Sequence, residues 1–362
     1  MNNILMVADS AFELIMSIHI RLSVYKEDHV SIIITDRTSD AYSVYENLCK
    51  LKVFDKVIYV EASKFLDIKI INYMPKRIKG KISDILYIRK ARRILNGFKT
   101  NIFLTSEIDY FSRYIYLALP NHTKFYLISE GIFGYAGLKE NILLNMKLSI
   151  SEANFLSSLY GIYFYGEKMG ELPTQNPIQI PSINTDREYL IEILNSIYGY
   201  KPHDTVYQNK IIIFEESYSN DGGCDNLLDV VEKIVMKYGN EKVIVKRHPR
   251  DVDNRFDKMA IKTIEPYATP WELFTLNGDY KHCILLAANS ASVYLNKIWD
   301  WGTEENACVM LNHIMNYQYA SAEVIDVYMD FLEKIYEKAK IPTPNNWTEL
   351  IDIIDKIFKE WS

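Results

Sequence analysis

The sequence predicts an α/β protein made of two doubly wound parallel-sheet domains with a cleft between them. Three observations carry this expectation. Short apolar runs alternate with helix-length patterns in two separate series, as in parallel sheets with helical crossovers. A proline-rich break, Glu171 to Ser182 with Pro173, Pro177 and Pro181, parts the two series and reads as a linker. A chain of 362 residues also suits two domains better than one.

In the first series the strand candidates are Ile4–Ala8, Val30–Thr35, Lys56–Val60, Asn101–Thr105 and Lys124–Ile128. Helical patterns over Ala11–Tyr25, Tyr42–Lys50 and Asp84–Leu95 fall between them. The second series has strand candidates Lys210–Phe214, Lys242–Val245, His282–Leu286 and Ala307–Leu311. Its helices are expected over Asn226–Tyr238, Thr269–Leu276 and Ala320–Ala339. The expected organisation is a first domain over 1–172, a linker over 173–204, a second domain over 205–340 and a C-terminal helix over 341–362. In that last helix Trp347, Leu350, Ile351, Ile354, Ile357, Phe358 and Trp361 share one face at helical spacing. The face can pack on the protein itself, on a membrane surface or on a second copy.

Composition narrows the function classes. Hydrophobic residues make up 48% and charged residues 24%, enough for a core in each half. The formal net charge of −6 argues against a nucleic-acid partner. Against that acidic background, Lys76 to Arg93 holds eight basic residues and one acid, Asp84. This stretch reads either as a solvated helix face or as a patch for an anionic lipid or acceptor. The four cysteines are scattered, with no Cys-x-x-Cys pair, which points to a reducing compartment without structural zinc. The chain opens directly on an apolar strand run and contains no stretch near the roughly 18 apolar residues of a spanning helix. A cytoplasmic protein is expected, with peripheral contact to the inner membrane face and a homodimer left open.

In doubly wound sheets, ligands bind outside the carboxyl ends of the strands, so chemistry is sought in the residues just after each strand. After Ile4–Ala8, Asp9 or Ser10 can cap the next helix. After Lys124–Ile128 comes Glu130, a candidate general base, among Gly131, Gly134 and Gly137. After Lys210–Phe214 come Glu215 and Glu216, then the tight turn Asp221-Gly222-Gly223. The run Val243–Val245 ends in Lys246, Arg247, His248 and Pro249. The proline disfavours helix at His248 and fixes the backbone behind it. An imidazole held beside two cations suits a phosphate and can give a proton to a departing phosphate oxygen. Glu272 comes in a Pro-Trp-Glu element, 24 residues after His248. The last strand end carries Asn289, Ser290 and Ser292, whose hydroxyls and amides at a helix start can hold phosphate.

This ordered set resembles the bacterial sialyltransferases. The motifs are an acidic-Gly turn, His-Pro after a strand, Pro-Trp-Glu, and a serine-rich strand end. The resemblance is to the lipooligosaccharide sialyltransferase family, with the capsular polysialyltransferases as relatives. The start Val7–Ile20 also looks like that family's strand–helix opening. It implies two Rossmann-like domains of the GT-B type, an acceptor domain first and a nucleotide-sugar domain second. It further implies inverting transfer from CMP-sialic acid to a galactose-ended glycan, with no metal or other cofactor. By motif, His248 would assist CMP departure, Ser290 and Ser292 would hold the phosphate, and Glu272 would meet the ribose or cytosine. The base would be Asp221, placed as in the lipooligosaccharide enzymes, or Glu130, placed as in the polysialyltransferases. Both acidic-Gly turns lack the first acid of the relatives' motif, and Asn-Ser-Ala-Ser replaces their paired hydroxyls. Asp251-Val-Asp253 resembles a metal-binding Asp-x-Asp but lies in a charged loop after His-Pro, so no metal is expected there. Two rival readings remain: a UDP-hexose donor on the same fold, or a non-catalytic scaffold of polysaccharide assembly.

Overall fold

The computed structural model describes residues 1–38, 40–66, 76–106, 109–129, 155–165, 176–202, 207–216, 226–249, 251, 253–288, 301–302, 305–315, 333–334 and 336–362, with backbone alone for 66 and 76–81. The chain divides into two compact units, Met1–Tyr198 and Gly199–Ser362.

In the first unit β1 (Asn3–Ala8) is buried over its whole length after Asn3. Then come α1 (Ala11–Ser23), β2 (His29–Thr35), α2 (Ala41–Leu51), β3 (Lys56–Val60), α3 (Ala62–Leu66) and α4 (Lys76–Leu95). After them lie β4 (Ile102–Thr105), α5 (Tyr110–Ala118), β5 (Lys124–Ile128), β6 (Leu159–Tyr165) and β7 (Pro177–Ile180). A 3₁₀ turn (Ile183–Asp186) then leads into α6 (Arg187–Tyr198). The sheet runs β3-β2-β1-β4-β5-β6-β7, with every pairing parallel. Its order reverses between β1 and β4, which is where a doubly wound sheet opens its crevice. Apolar side chains on one face meet the helices: Leu5, Val7, Phe103, Phe125 and Phe155 are buried together, with Phe125 and Phe155 stacked at 4.5 Å.

The strand runs read from sequence appear within two residues of their expected places, but the expected linker does not. Pro177–Ile180 is the edge strand of the first sheet, and Arg187–Tyr198 is a helix tied to α2 by Asn47 Nδ2 donating to the Ile197 carbonyl at 2.9 Å. The boundary therefore lies at Tyr198/Gly199 rather than across 173–204. The prolines mislead because proline is tolerated at the first residue of an edge strand, where no ladder donor is required. Pro181 is held in turn, since the His19 ring nitrogen Nε2 donates to its carbonyl at 2.7 Å. The preceding strand β6 is rich in tyrosine and contains Gly161, so it lacks a clear apolar run. That glycine is required by close approach: a Cβ there would lie 2.5 Å from the Asn176 carbonyl oxygen.

In the second unit the elements are β8 (Tyr207–Gln208), β9 (Ile211–Phe214), α7 (Leu227–Tyr238), β10 (Val243–Lys246) and β11 (Lys262–Thr263). They continue with α8 (Trp271–Asn277), β12 (Tyr280–Lys281), β13 (Ile284–Ala287), β14 (Ala307–Met310) and α9 (Trp347–Trp361). A five-stranded parallel sheet runs β11-β10-β9-β13-β14, while β8 and β12 pair apart from it. Its order reverses between β9 and β13. Two-residue strands such as β8, β11 and β12 are too short to leave a periodic signal.

The amphipathic C-terminal helix packs on its own unit. Asn346 caps α9 by accepting the Glu349 N–H at 3.1 Å. Leu350 and Ile354 are fully buried in one cluster with Val231, Ile234 and Val243. Trp347, Ile357, Phe358 and Trp361 close over the same cluster. The apolar face is thus covered by α7 and the sheet, so the helix completes this core rather than standing apart. The predicted helix over Ala320–Ala339 lies mainly outside the described residues.

Candidate functional site

The second sheet delivers its carboxyl edge through three neighbouring strands. Strand β10 is buried throughout and flanked by β9 and β11, so the chain leaves the sheet at a fixed point after Lys246. On the neighbouring strand, Phe214 ends β9 and Glu215 comes next. The Glu215 N–H donates to the Lys246 carbonyl at 2.9 Å, continuing the ladder by one residue. Its carboxylate has no exposed surface. One oxygen, Oε2, accepts the His248 N–H at 3.0 Å. The other, Oε1, accepts Arg255 Nε at 3.1 Å and Nη2 at 2.6 Å. A buried carboxylate satisfied by a guanidinium fork and a backbone amide is a rigid anchor. Glu216 serves the opposite side, where its Oε1 accepts the Ala288 N–H at 3.2 Å. The two glutamates therefore bind the end of β9 to the ends of both neighbours, β10 and β13, across the point where the strand order reverses.

The three cations expected to face a ligand separate. Lys246 is buried, and its Nζ donates to the Arg247 carbonyl at 3.1 Å and the Tyr267 carbonyl at 2.7 Å. Arg247 is also buried. Its guanidinium lies over the Tyr267 ring at 4.4 Å, and Nη2 donates to the Asp251 carbonyl at 2.9 Å. Both side chains thus brace the loop running from 251 to 267. His248 differs: the residue is half-buried, and its backbone is held at both ends. The N–H goes to Glu215, and the carbonyl accepts the Asp251 N–H at 3.1 Å, closing a turn around Pro249. Asp251 is buried in that turn while Asp253 is exposed, so the two acids of the Asp-x-Asp sit in unlike surroundings.

Glu272 reaches the same edge through packing. Trp271 meets Phe214, the residue before Glu215, edge-to-face at 5.0 Å, and stacks on Phe274 at 5.3 Å. This seats the first turn of α8 against the end of β9 with Glu272 buried in it. Burial pushes the Lys246 ammonium down to about 8, while the charges of Glu272 and Glu265 partly oppose this.

That shift has a measurable consequence. The unfolded chain holds the Lys246 proton up to its ordinary pKa near 10.4, whereas the folded chain releases it near 8. Stability contributed by this group therefore rises with pH across that window and is lost as pH falls back through it. In Lys246→Met the dependence disappears. Urea unfolding of both proteins should show their difference moving in the wild type's favour by about 2 kcal/mol between about pH 8 and pH 10. A difference constant with pH would refute the buried charge.

Asp221, Gly222, Glu130, Asn289, Ser290 and Ser292 lie outside the described residues. The strands that lead to them are described: β5 ends at Ile128 next to buried Ser129, β9 ends beside Glu215, and β13 ends beside Ala288. Sequence reasoning singled out neither Arg255 nor a role for Glu215. The visible signal was a Glu-Glu pair placed directly after an all-apolar strand.

The first unit carries its own polar cluster at the reversal of its sheet. Ser10 is the cap of α1, accepting the Glu13 N–H at 3.2 Å, and Glu13 Oε2 accepts the Asp9 N–H at 2.5 Å. Asp9 accepts from the Thr35 hydroxyl at 2.5 Å and pairs with Arg37, which also pairs with Asp109 at 2.7 Å. A cavity of about 390 Å³ opens at the end of β3, lined by Tyr59, Glu61, Lys64, Phe65, Lys90 and Ile94. None of the predicted site residues line it.

No protein-family model matches the sequence, and no curated protein matches it. Solved structures do share the fold. UDP-GlcNAc 2-epimerase from Neisseria meningitidis, bound to UDP-GlcNAc, matches with a TM-score of 0.51 at 12% identity over 99% of this chain and 100% of that one. TcCGT1 in complex with UDP matches with a TM-score of 0.51 at 11% identity over 98% of this chain and 89% of that one. An α/β-galactoside α-2,3-sialyltransferase from the luminous marine bacterium Photobacterium phosphoreum has a TM-score of 0.48 at 12% identity, over 95% and 99% of the two chains. At such identities the likeness is one of fold: α/β, GT-B type, with two Rossmann-like units.

Proposed function

We propose that the chain is a glycosyltransferase, an inverting sialyltransferase that moves sialic acid from CMP-sialic acid to a galactose-ended surface glycan of lipooligosaccharide or capsule. The observation that supports it most is the His-Pro turn. His248 leaves the carboxyl edge of a Rossmann-like sheet on a backbone anchored to Glu215, beside the reversal of strand order. The motif order around it resembles that of the sialyltransferases.

In this reading the acceptor hydroxyl attacks the anomeric carbon as the bond to the CMP phosphate oxygen breaks. The acceptor proton passes to one carboxylate, Asp221 or Glu130. The imidazolium of His248 gives its proton to the departing phosphate, where negative charge grows. Asn289, Ser290 and Ser292 would donate to that phosphate, and Glu272 would meet the ribose or cytosine. Pro249, beside His248, and Gly222, beside Asp221, would also meet the donor. Lys246 contributes indirectly, by holding the loop that carries Tyr267. A single base and no covalent nucleophile are what inversion requires. No step of this transfer is routed through a metal.

The test is nucleotide protection. At 100 times its dissociation constant CMP should add about 2.7 kcal/mol to stability, read as a rise in melting temperature, with no effect of UDP or GDP. Protection by UDP alone would replace the donor with a UDP-hexose. No protection by any nucleotide would favour a scaffold and end the catalytic reading.

A further inference from the structure

The basic stretch of the first unit is one helix, α4, and its charges are sorted by face. Arg89, Arg92 and Arg93 are exposed, at spacings that put them side by side. Ile85, one turn before Arg89, is 50% exposed on the same side. The remaining charges described on this helix turn inward. The Tyr114 hydroxyl donates to Asp84 Oδ1 at 2.5 Å, so the stretch's one acid is engaged beneath the helix. Lys90 Nζ donates to the Lys64 and Phe65 carbonyls at 2.6 and 2.8 Å, holding the last turn of α3. Tyr87 stacks on Phe65, and Ala91 and Leu95 are buried, so the inner face is fully used by the fold. What remains outward is a row of arginines with one bare isoleucine at its N-terminal end, on a helix that opens with Lys76, Arg77, Lys79 and Lys81. The whole chain carries a net charge of −6, so general basicity does not explain it.

We propose that this face of α4 docks on an anionic phospholipid bilayer, with the arginines at the headgroups and Ile85 at the headgroup–acyl boundary. Charge complementarity selects an anionic surface. The exposed isoleucine selects a bilayer over a soluble anionic polysaccharide, because only the bilayer offers apolar depth between its charges. The inference is independent of the donor and of catalysis. It gives a chain in which, among the described residues, no helix is long and apolar enough to cross a membrane a way to work at a lipid surface.

The test is co-sedimentation of the full chain with vesicles. Binding is expected to phosphatidylcholine vesicles doped with phosphatidylglycerol, not to pure phosphatidylcholine, and to weaken with salt. Arg89→Gln, Arg92→Gln and Arg93→Gln together should lower partitioning about 100-fold, from roughly fivefold per arginine near the surface. Ile85→Ser should weaken binding while leaving its salt dependence intact. All four positions are exposed, so an unchanged melting temperature verifies folding. Failure of the wild type to bind doped vesicles overturns the proposal, as does binding indifferent to the triple substitution. So does a triple substitution that loses only a soluble polyanion such as heparin. None of these outcomes bears on CMP protection, so the two readings fail separately.

Discussion

Alanine at His248 is expected to lower the transfer rate from CMP-sialic acid by about 10²–10⁴-fold while CMP still raises the melting temperature. The substitution removes only the imidazole. The backbone contacts that shape the turn, His248 N–H to Glu215 and Asp251 N–H to the His248 carbonyl, survive it. Folding should therefore be unchanged, and a loss of rate reads as loss of the proton donor. Steady-state transfer assays beside a CMP melting series make the comparison. Full activity in the variant would remove His248 from the chemistry, whatever the donor proves to be.

Removing the Glu215 carboxylate should be the most damaging single change to stability at this edge. In Glu215→Ala the Arg255 guanidinium, only 22% exposed, loses its bidentate contact to this carboxylate, and the His248 N–H loses its acceptor. Breaking such a pair from one side should cost about 3 kcal/mol, at the low end for buried pairs because Arg255 keeps some water. The transfer rate should fall as well, since the turn carrying His248 is no longer pinned. Glu215→Gln retains an acceptor for the His248 N–H and should recover part of the rate while recovering less of the stability. Arg255→Met and the double variant complete the cycle, with an expected coupling of about 1–3 kcal/mol. Chemical denaturation within about 0.5 kcal/mol of wild type for Glu215→Ala would show that the anchor is not one.

Most of the strand plan is legible in the residues. Ile4–Ala8, Ile211–Phe214 and Ile284–Ala287 are uniformly apolar because helices cover both faces of a parallel sheet, and such runs stand out from any charged context. The amphipathic stretch from Trp347 is equally plain, and the core it enters is where its spacing points. Other elements are hidden for definite reasons. Strand β6 mixes tyrosines with a glycine that yields to the Asn176 carbonyl. Strand β7 sits between prolines that mimic a linker, and its identity comes only from lying beside β6.

The candidate site divides along the same line. The residue types at the end of β10, and the proline that stiffens them, are local and therefore readable. Where the side chains go is not. Lys246 finds the Tyr267 carbonyl 21 residues on, His248 finds Glu215 at a separation of 33, and Arg255 finds it at 40. Alone, the sequence determined the two wound series, the helix that closes the second core, and the presence of a histidine at a strand end. Tertiary structure decided which of three adjacent cations are struts and which is held through its backbone turn. It did so because buried donors take whatever acceptor the sheet register brings within about 3 Å, and register joins residues that are far apart in the chain.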